Sequence, residues 1–323
     1  MTAGSPVRRL TLLLSTPRIA PGLLTRDAWT ALAGAAHVLA RDEDEAELNA
    51  IQESGIAATH LGRLEPADLA RLLLDRTGDG EVVWIGSADD DPGLTDALAV
   101  EISSRQDPPE IEMLVGSYDV PGSKLLDLVA VMDRLRSPQG CPWDAEQTHE
   151  SLVPYAIEET HELVEAIESG DREHLVEELG DVLLQVVFHA RIGQEDSESP
   201  FGIDDVADGI INKLVRRHPH VFADVEADSP EEVAANWEQI KAAEKPHRTL
   251  PLDGIPKGLP ALASANKAAG RLSTAGRYDL AVSAAADDDL GSRLLALVLE
   301  ARDRGQDPEA ALRATVRTLN VQL

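Results

Sequence analysis

The sequence predicts a mainly α-helical protein, with a central all-α bundle preceded by a small α/β domain and followed by a helical tail. Three observations carry this expectation. Short apolar runs alternate with helical stretches up to residue 115, a longer helical periodicity sets in at Ser123, and a Pro/Gly-rich stretch at residues 246–260 interrupts it. The expected domains are therefore 1–118, 119–245 and 246–323.

Taken in order, residues 10–14 (LTLLL) read as a strand, 26–34 as a helix, and 37–40 and 82–85 as strands. RQDPPE at residues 105–110 reads as a turn before a strand at 111–115. Leu125, Leu128, Val129, Met132 and Leu135 then recur at three- and four-residue steps, and SPQGCP at 137–142 must break that helix. Helices follow at about 150–168, 172–192 and 203–217, with the polar linker EDSESPFG (195–202) between the last two. A further helix at about 230–244 starts from Ser229, with Glu232 three residues on as its capping-box partner.

Composition excludes several classes. The 323 residues include 58 Asp and Glu against 29 Lys and Arg, and a net charge of -29 repels a phosphate backbone, so no nucleic-acid polymer is expected as a partner. An apolar fraction of 43% suits a globular chain. A lone Cys141 cannot form an internal disulfide and fits a reducing compartment. No apolar run approaches the roughly 20 residues of a membrane span, and Ser15, Pro17 and Arg18 end the run after Arg8 and Arg9 too early for a signal peptide. A soluble, cytoplasmic protein with no membrane partner is expected.

The acidity is concentrated. Residues 141–200 hold sixteen acidic residues against two basic ones. In one helix Glu159 and Glu162 stand three apart, over one flank at the border of an apolar stripe through Leu152, Ala156, Leu163 and Ile167. In the next, Glu178 and Asp181 stand three apart within a largely apolar sequence, where two like charges are costly without a counter-cation. Pairing the helices antiparallel would gather four carboxylates, hard oxygen ligands suited to Mg²⁺ or Mn²⁺. Either string alone reads as a solvated helix face; both together, on consecutive helices at core borders, favour a metal site. Glu158-x-x-His161 has the spacing of di-iron bundle ligands, but a second Glu-x-x-His is missing.

Residues 211–220, INKLVRRHPH, form a basic island containing Lys213, Arg216 and Arg217 and no acid. It reads either as an anion site or as dipole complementation at a helix C-terminus before Pro219.

The EExxE string at Glu158, Glu159 and Glu162 is followed by ExxD at Glu178 and Asp181. It is preceded by CPWDAEQTHESL at 141–152, and the pair is followed by KLVRRHPHVF at 213–222. In this order, residues 125–245 resemble the MazG family of nucleoside triphosphate pyrophosphohydrolases. The resemblance implies an all-α fold assembled as a homodimer. It implies Mg²⁺-dependent hydrolysis of nucleoside triphosphates, aberrant or oxidised ones included, to monophosphate and pyrophosphate, a nucleotide-pool house-cleaning role. It implies that Glu159, Glu162, Glu178 and Asp181 ligate the metal, for which Mn²⁺ could substitute. Glu158 would orient or deprotonate water, and Lys213, Arg216 and Arg217 would contact phosphates. Trp143 would stack on the base or anchor the core. The alternatives are a non-catalytic helical interaction module and a di-iron carboxylate protein.

Residues 10–41 resemble the amino-terminal half of a tetrapyrrole methylase, but the expected glycine-rich loop reads STPRIAPG (15–22) and the domain ends early. A truncated, non-catalytic domain is expected. Residues 290–319 resemble the end of a second MazG domain, with Asp289-Leu290-Gly291-Ser292 where ExxD would stand and no EExxE helix before it. A degenerate tail is expected.

Overall fold

A computed structural model describes residues 8–43, 45–87, 91–223, 225–227, 229–244 and 250–320. Strands and helices alternate first: β1 (Arg9–Ser15), α1 (Arg26–Gly34), β2 (His37–Ala40), α2 (Ala46–Glu53), β3 (Ala58–His60), α3 (Pro66–Arg76), β4 (Val82–Ser87), α4 (Leu94–Ser104) and β5 (Glu110–Val115). The strands form one parallel sheet in the order β3-β2-β4-β1-β5. Because side chains alternate along a strand, Leu10, Leu12, Val82 and Trp84 join a core with Leu73 of α3 and Leu98 of α4. Leu13, Val83 and Ile85 join the opposite core with Leu32 of α1 and Ile51 of α2. Both faces are covered, which is why these strands are nearly continuous apolar runs.

Helices follow: α5 (Lys124–Arg136), α6 (Pro142–Glu146), α7 (Val153–Ser169), α8 (Arg172–Gly193) and α9 (Ile203–Arg217). Gly170 takes φ +74 at the end of α7, and Asp171 caps α8 by accepting from the backbone N–H groups of Glu173 and His174 at 2.9 and 3.2 Å. Two residues of turn send α8 back antiparallel along α7. Met132, Leu152, Val187 and Phe188 form the small core beneath the hairpin.

The chain divides into two compact units, the first ending at Val206 and the second beginning at Ala207. The second contains the rest of α9, then α10 (Pro219–Phe222), α11 (Pro230–Glu244), α12 (Ala261–Thr274), α13 (Tyr278–Ala284), α14 (Leu290–Asp303) and α15 (Pro308–Asn320). Ser229 accepts from the Glu232 N–H at 3.2 Å, capping α11 as its sequence implies. Ala269, Ala281 and Leu299 are the buried centre of α12, α13 and α14. Among the described residues no helix is long and apolar enough to cross a membrane.

Candidate functional site

The α7–α8 hairpin brings Glu159, Glu178 and Asp181 together, each offering a carboxylate oxygen within 4.8 Å of the others. Glu178 is only 6% exposed. One of its oxygens lies 2.9 Å from His174 Nε2, one helical turn back, while Oε2 is buried with no partner among the described residues. Burial pushes the Glu159 carboxyl above the usual carboxylate range, and the charges of Asp181, Glu162, Glu178 and Glu158 push it further. A buried, unpaired carboxylate oxygen beside two more carboxylates is unfavourable unless a cation arrives. The donor set is all hard oxygen, so these residues fit a divalent metal ion.

Glu162, one turn further along α7, adds to the charge felt by Glu159 but is not one of the three converging residues. Glu158 and His161 lie exposed on the same helix. Trp143 on α6 is 51% exposed and meets Tyr155 of α7 edge-on, with ring centroids 6.0 Å apart. Arg136 anchors α6 from below. Its nearly buried guanidinium donates to Glu195 at 3.1 and 2.8 Å, to the Gln147 carbonyl at 3.2 Å and to the Asp144 carbonyl, and packs on the Phe188 ring. Those hydrogen bonds hold the Glu195 carboxyl below its usual range.

In the second unit the basic island is less free than its own sequence implies. Arg216 and Arg217 both donate to Glu244 of α11, at 2.7 Å from Arg216 Nε and 3.1 Å from Arg217 Nε. Hydrogen bonds from Arg217 and then Arg216 hold the Glu244 carboxyl down to about 2. Lys213 is exposed and makes no ion pair among the described residues. Trp237 lies under two cations, with Arg217 at 5.9 Å and Lys241 at 5.5 Å from its ring centroid.

Residues 147–222 match the MazG nucleotide pyrophosphohydrolase domain. The chain is also 42% identical over 211 residues to a Thermotoga maritima protein named nucleoside triphosphate pyrophosphohydrolase/pyrophosphatase MazG, covering 59% of this chain and 80% of that one. This chain belongs to the MazG family. Membership places it among hydrolases. An uncharacterized 26.1 kDa protein from the blaB 3' region of Streptomyces cacaoi is 53% identical over 232 residues, covering 71% of this chain and 94% of that one. The Mycolicibacterium smegmatis nucleoside triphosphate pyrophosphohydrolase is 47% identical over 203 residues, covering 60% of this chain, and the matched part spans 62% of its length.

The MazG stretch contains all three converging carboxylates and the basic island, but not Trp143, Trp237 or Glu244. Sequence reasoning missed Glu244, Trp237, Arg136 and His174. The last had a local signal, since His174 and Glu178 stand at i and i+4 on one helix.

Proposed function

We propose that this chain hydrolyses nucleoside triphosphates, including deoxy and aberrant or oxidised forms, to the monophosphate and pyrophosphate with Mg²⁺, as a house-cleaning enzyme of the nucleotide pool. The observation that carries this reading is the convergence of Glu159, Glu178 and Asp181 around a buried carboxylate oxygen without a partner. The names of its T. maritima and M. smegmatis relatives support the substrate class. Mg²⁺, or Mn²⁺ in its place, would neutralise phosphate charge and acidify a water molecule. Glu159, Glu178 and Asp181, with Glu162 beside them in sequence, would hold the ion. Glu158, exposed on the same helix, would orient or deprotonate the water that attacks the α-phosphorus while pyrophosphate leaves. Trp143 packs near the base. Lys213, Arg216 and Arg217 contact phosphates, with Glu244 as the anion that a phosphate replaces.

A homodimer is part of this reading, supported by Ile157, Ile167, Val176 and Leu179, each more than half exposed on α7 and α8, an apolar surface that a second copy of the chain would cover. Residues 1–118 form a truncated, tetrapyrrole-methylase-like domain without catalysis, residues 119–245 the catalytic domain, and 246–323 a linker and degenerate MazG-like tail. The protein works in the cytoplasm and its ligand is not a nucleic-acid polymer.

A panel of canonical and oxidised NTPs and dNTPs with Mg²⁺ tests this, with pyrophosphate and monophosphate as the expected products. If no nucleotide yields pyrophosphate and Mg²⁺ leaves the melting temperature unchanged, the reading fails and a helical interaction module takes its place.

A further inference from the structure

Beside the carboxylates, the α7–α8 hairpin opens into a cavity of about 350 Å³ whose lining includes Ala156, Thr160, Val182, Gln185, His189 and Phe201. That volume falls within the roughly 300–1,000 Å³ of small-molecule sites. The cavity begins where the metal-fitting residues end, since Thr160 follows Glu159 and Val182 follows Asp181. Asp181, Gln185 and His189 stand four apart, so they form one row along α8 with a step of about 6 Å.

The chemistry of the wall is specific. No Lys, Arg, Asp or Glu lines it, so it is not built for a phosphate or for a cation. Most of its surface is apolar, yet the Oε1 of Gln185 is buried with no hydrogen-bond partner among the described residues. Such an acceptor is costly unless an N–H reaches it. At the far end, His189 Nδ1 lies 2.7 Å from His149 Nδ1, and the two rings stack at 5.0 Å with 9° between planes. Phe201 lies parallel to His149 at 6.2 Å. A mostly apolar wall that includes the rings of His189 and Phe201 and one buried acceptor suits a heteroaromatic ring that carries an N–H.

We propose that this cavity holds the nucleobase and that Gln185 selects bases with an exocyclic amino group, accepting an amino N–H at Oε1. This rests on the hydrolase reading above, which places the phosphates at the carboxylates one turn away. A base without the amino group leaves Oε1 unpaired, and a site built to hydrogen-bond a substrate group discriminates against the analogue that lacks it.

The test compares dATP with the triphosphate of deoxyribosylpurine, which lacks only the 6-amino group, on the full chain with Mg²⁺. Wild type should favour dATP in kcat/KM by about tenfold or more. Gln185→Leu should bring the ratio near one by lowering kcat/KM for dATP toward that of the analogue, and Gln185→Glu, which keeps an acceptor, should keep the preference. Equal kcat/KM for the two nucleotides in wild type, or an unchanged ratio in a folded Gln185→Leu, overturns the proposal and leaves the hydrolase reading standing. Calorimetric binding of dAMP and of deoxyribosylpurine monophosphate without metal separates the two readings. If no nucleotide is hydrolysed, the activity reading fails; a dAMP preference lost in Gln185→Leu still supports the base site, and no binding of either compound overturns it.

Discussion

Around Arg18 and around Glu178 the same unit buries charge, and the two places close it differently. Arg18 sits in the loop after β1, its side chain only 8% exposed, and donates to Asp119 at 2.7 Å and to both oxygens of Asp127 at 2.9 Å. The Thr16 hydroxyl and Arg18 hold Asp119 below its usual pKa, and hydrogen bonds from Arg18 do the same for Asp127. Around Glu178 the described residues offer no arginine or lysine partner; among them one oxygen has only His174 and the other has none. A charge cluster closed by its own counter-ions is a fastening, whereas one that gathers like charges is completed from outside.

The largest expected effect comes from removing a member of the open cluster. Asp181→Ala or Glu178→Gln should cut Mg²⁺-dependent pyrophosphate release by roughly a thousandfold or more while the protein stays folded. Without metal, Glu159→Gln should melt a few degrees above wild type, because it removes one of several crowded like charges. Retained hydrolysis in Asp181→Ala would remove Asp181 from the metal set.

The closed cluster should respond the other way. Arg18→Met leaves Asp119 and Asp127 facing each other without their cation, so the melting temperature should fall by several degrees, with or without Mg²⁺. Hydrolysis by the folded fraction should persist. If instead Arg18→Met melts like wild type but loses activity, the loop after β1 belongs to the active site and the contrast between the clusters collapses.

How much of this could be read from residues follows from what each feature depends on. β1, β2 and β4 overlap apolar runs in the sequence, because a doubly covered parallel strand is nearly continuously apolar, whereas β5, an edge strand carrying Glu110 and Glu112, is marked by the turn that precedes it. β3, only Ala58–His60, has no such run and owes its place to pairing with β2. The triad was legible because spacing on two consecutive helices sets it. Glu162 has the same i, i+3 relation to Glu159, yet that step also advances it along α7, and the convergence forms without it. The capture of Arg217 by Glu244 spans 27 residues between helices and had no local signal. Gln185 reads only as a polar interruption of an apolar stretch until the cavity beside it is seen.

Acid should separate paired carboxylates from unpaired ones. Glu159 is raised, so the folded protein binds that proton more tightly than the unfolded chain. Its contribution to metal-free stability is present at low pH and is lost as pH rises through its raised pKa. Asp119, Asp127 and Glu244 are lowered, so their stabilisation is present above the ordinary carboxylate range and is lost as pH falls, for Glu244 toward about 2. The difference in melting temperature between Glu159→Gln and wild type, measured without metal, should therefore shrink as pH is lowered from about 7 to about 4. A difference that stays constant would mean that Glu159 carries no extra proton affinity. Mg²⁺ affinity should fall over the same interval, as protons compete for the same oxygens.

The smallest effect is expected where the tail departs from the catalytic pattern. Asp289 stands where the resemblance would put the first acid of ExxD, and the fourth residue is Ser292. Asp289 accepts from the Gly291 and Ser292 N–H groups at 2.9 and 3.2 Å and from the Ser292 hydroxyl at 2.7 Å. Those hydrogen bonds, from Ser292 first, hold its carboxyl below the usual range. Where Glu178 keeps a buried oxygen unpaired, Asp289 uses its acceptors to begin α14 and so behaves as a helix cap. Asp289→Ala should therefore lower the melting temperature by about a degree or two and leave kcat, KM and the Mg²⁺ requirement unchanged. Asp289→Asn, which keeps an oxygen that can accept, should restore most of the loss. A drop in activity in both variants at unchanged melting temperature would show that the tail still takes part in the reaction.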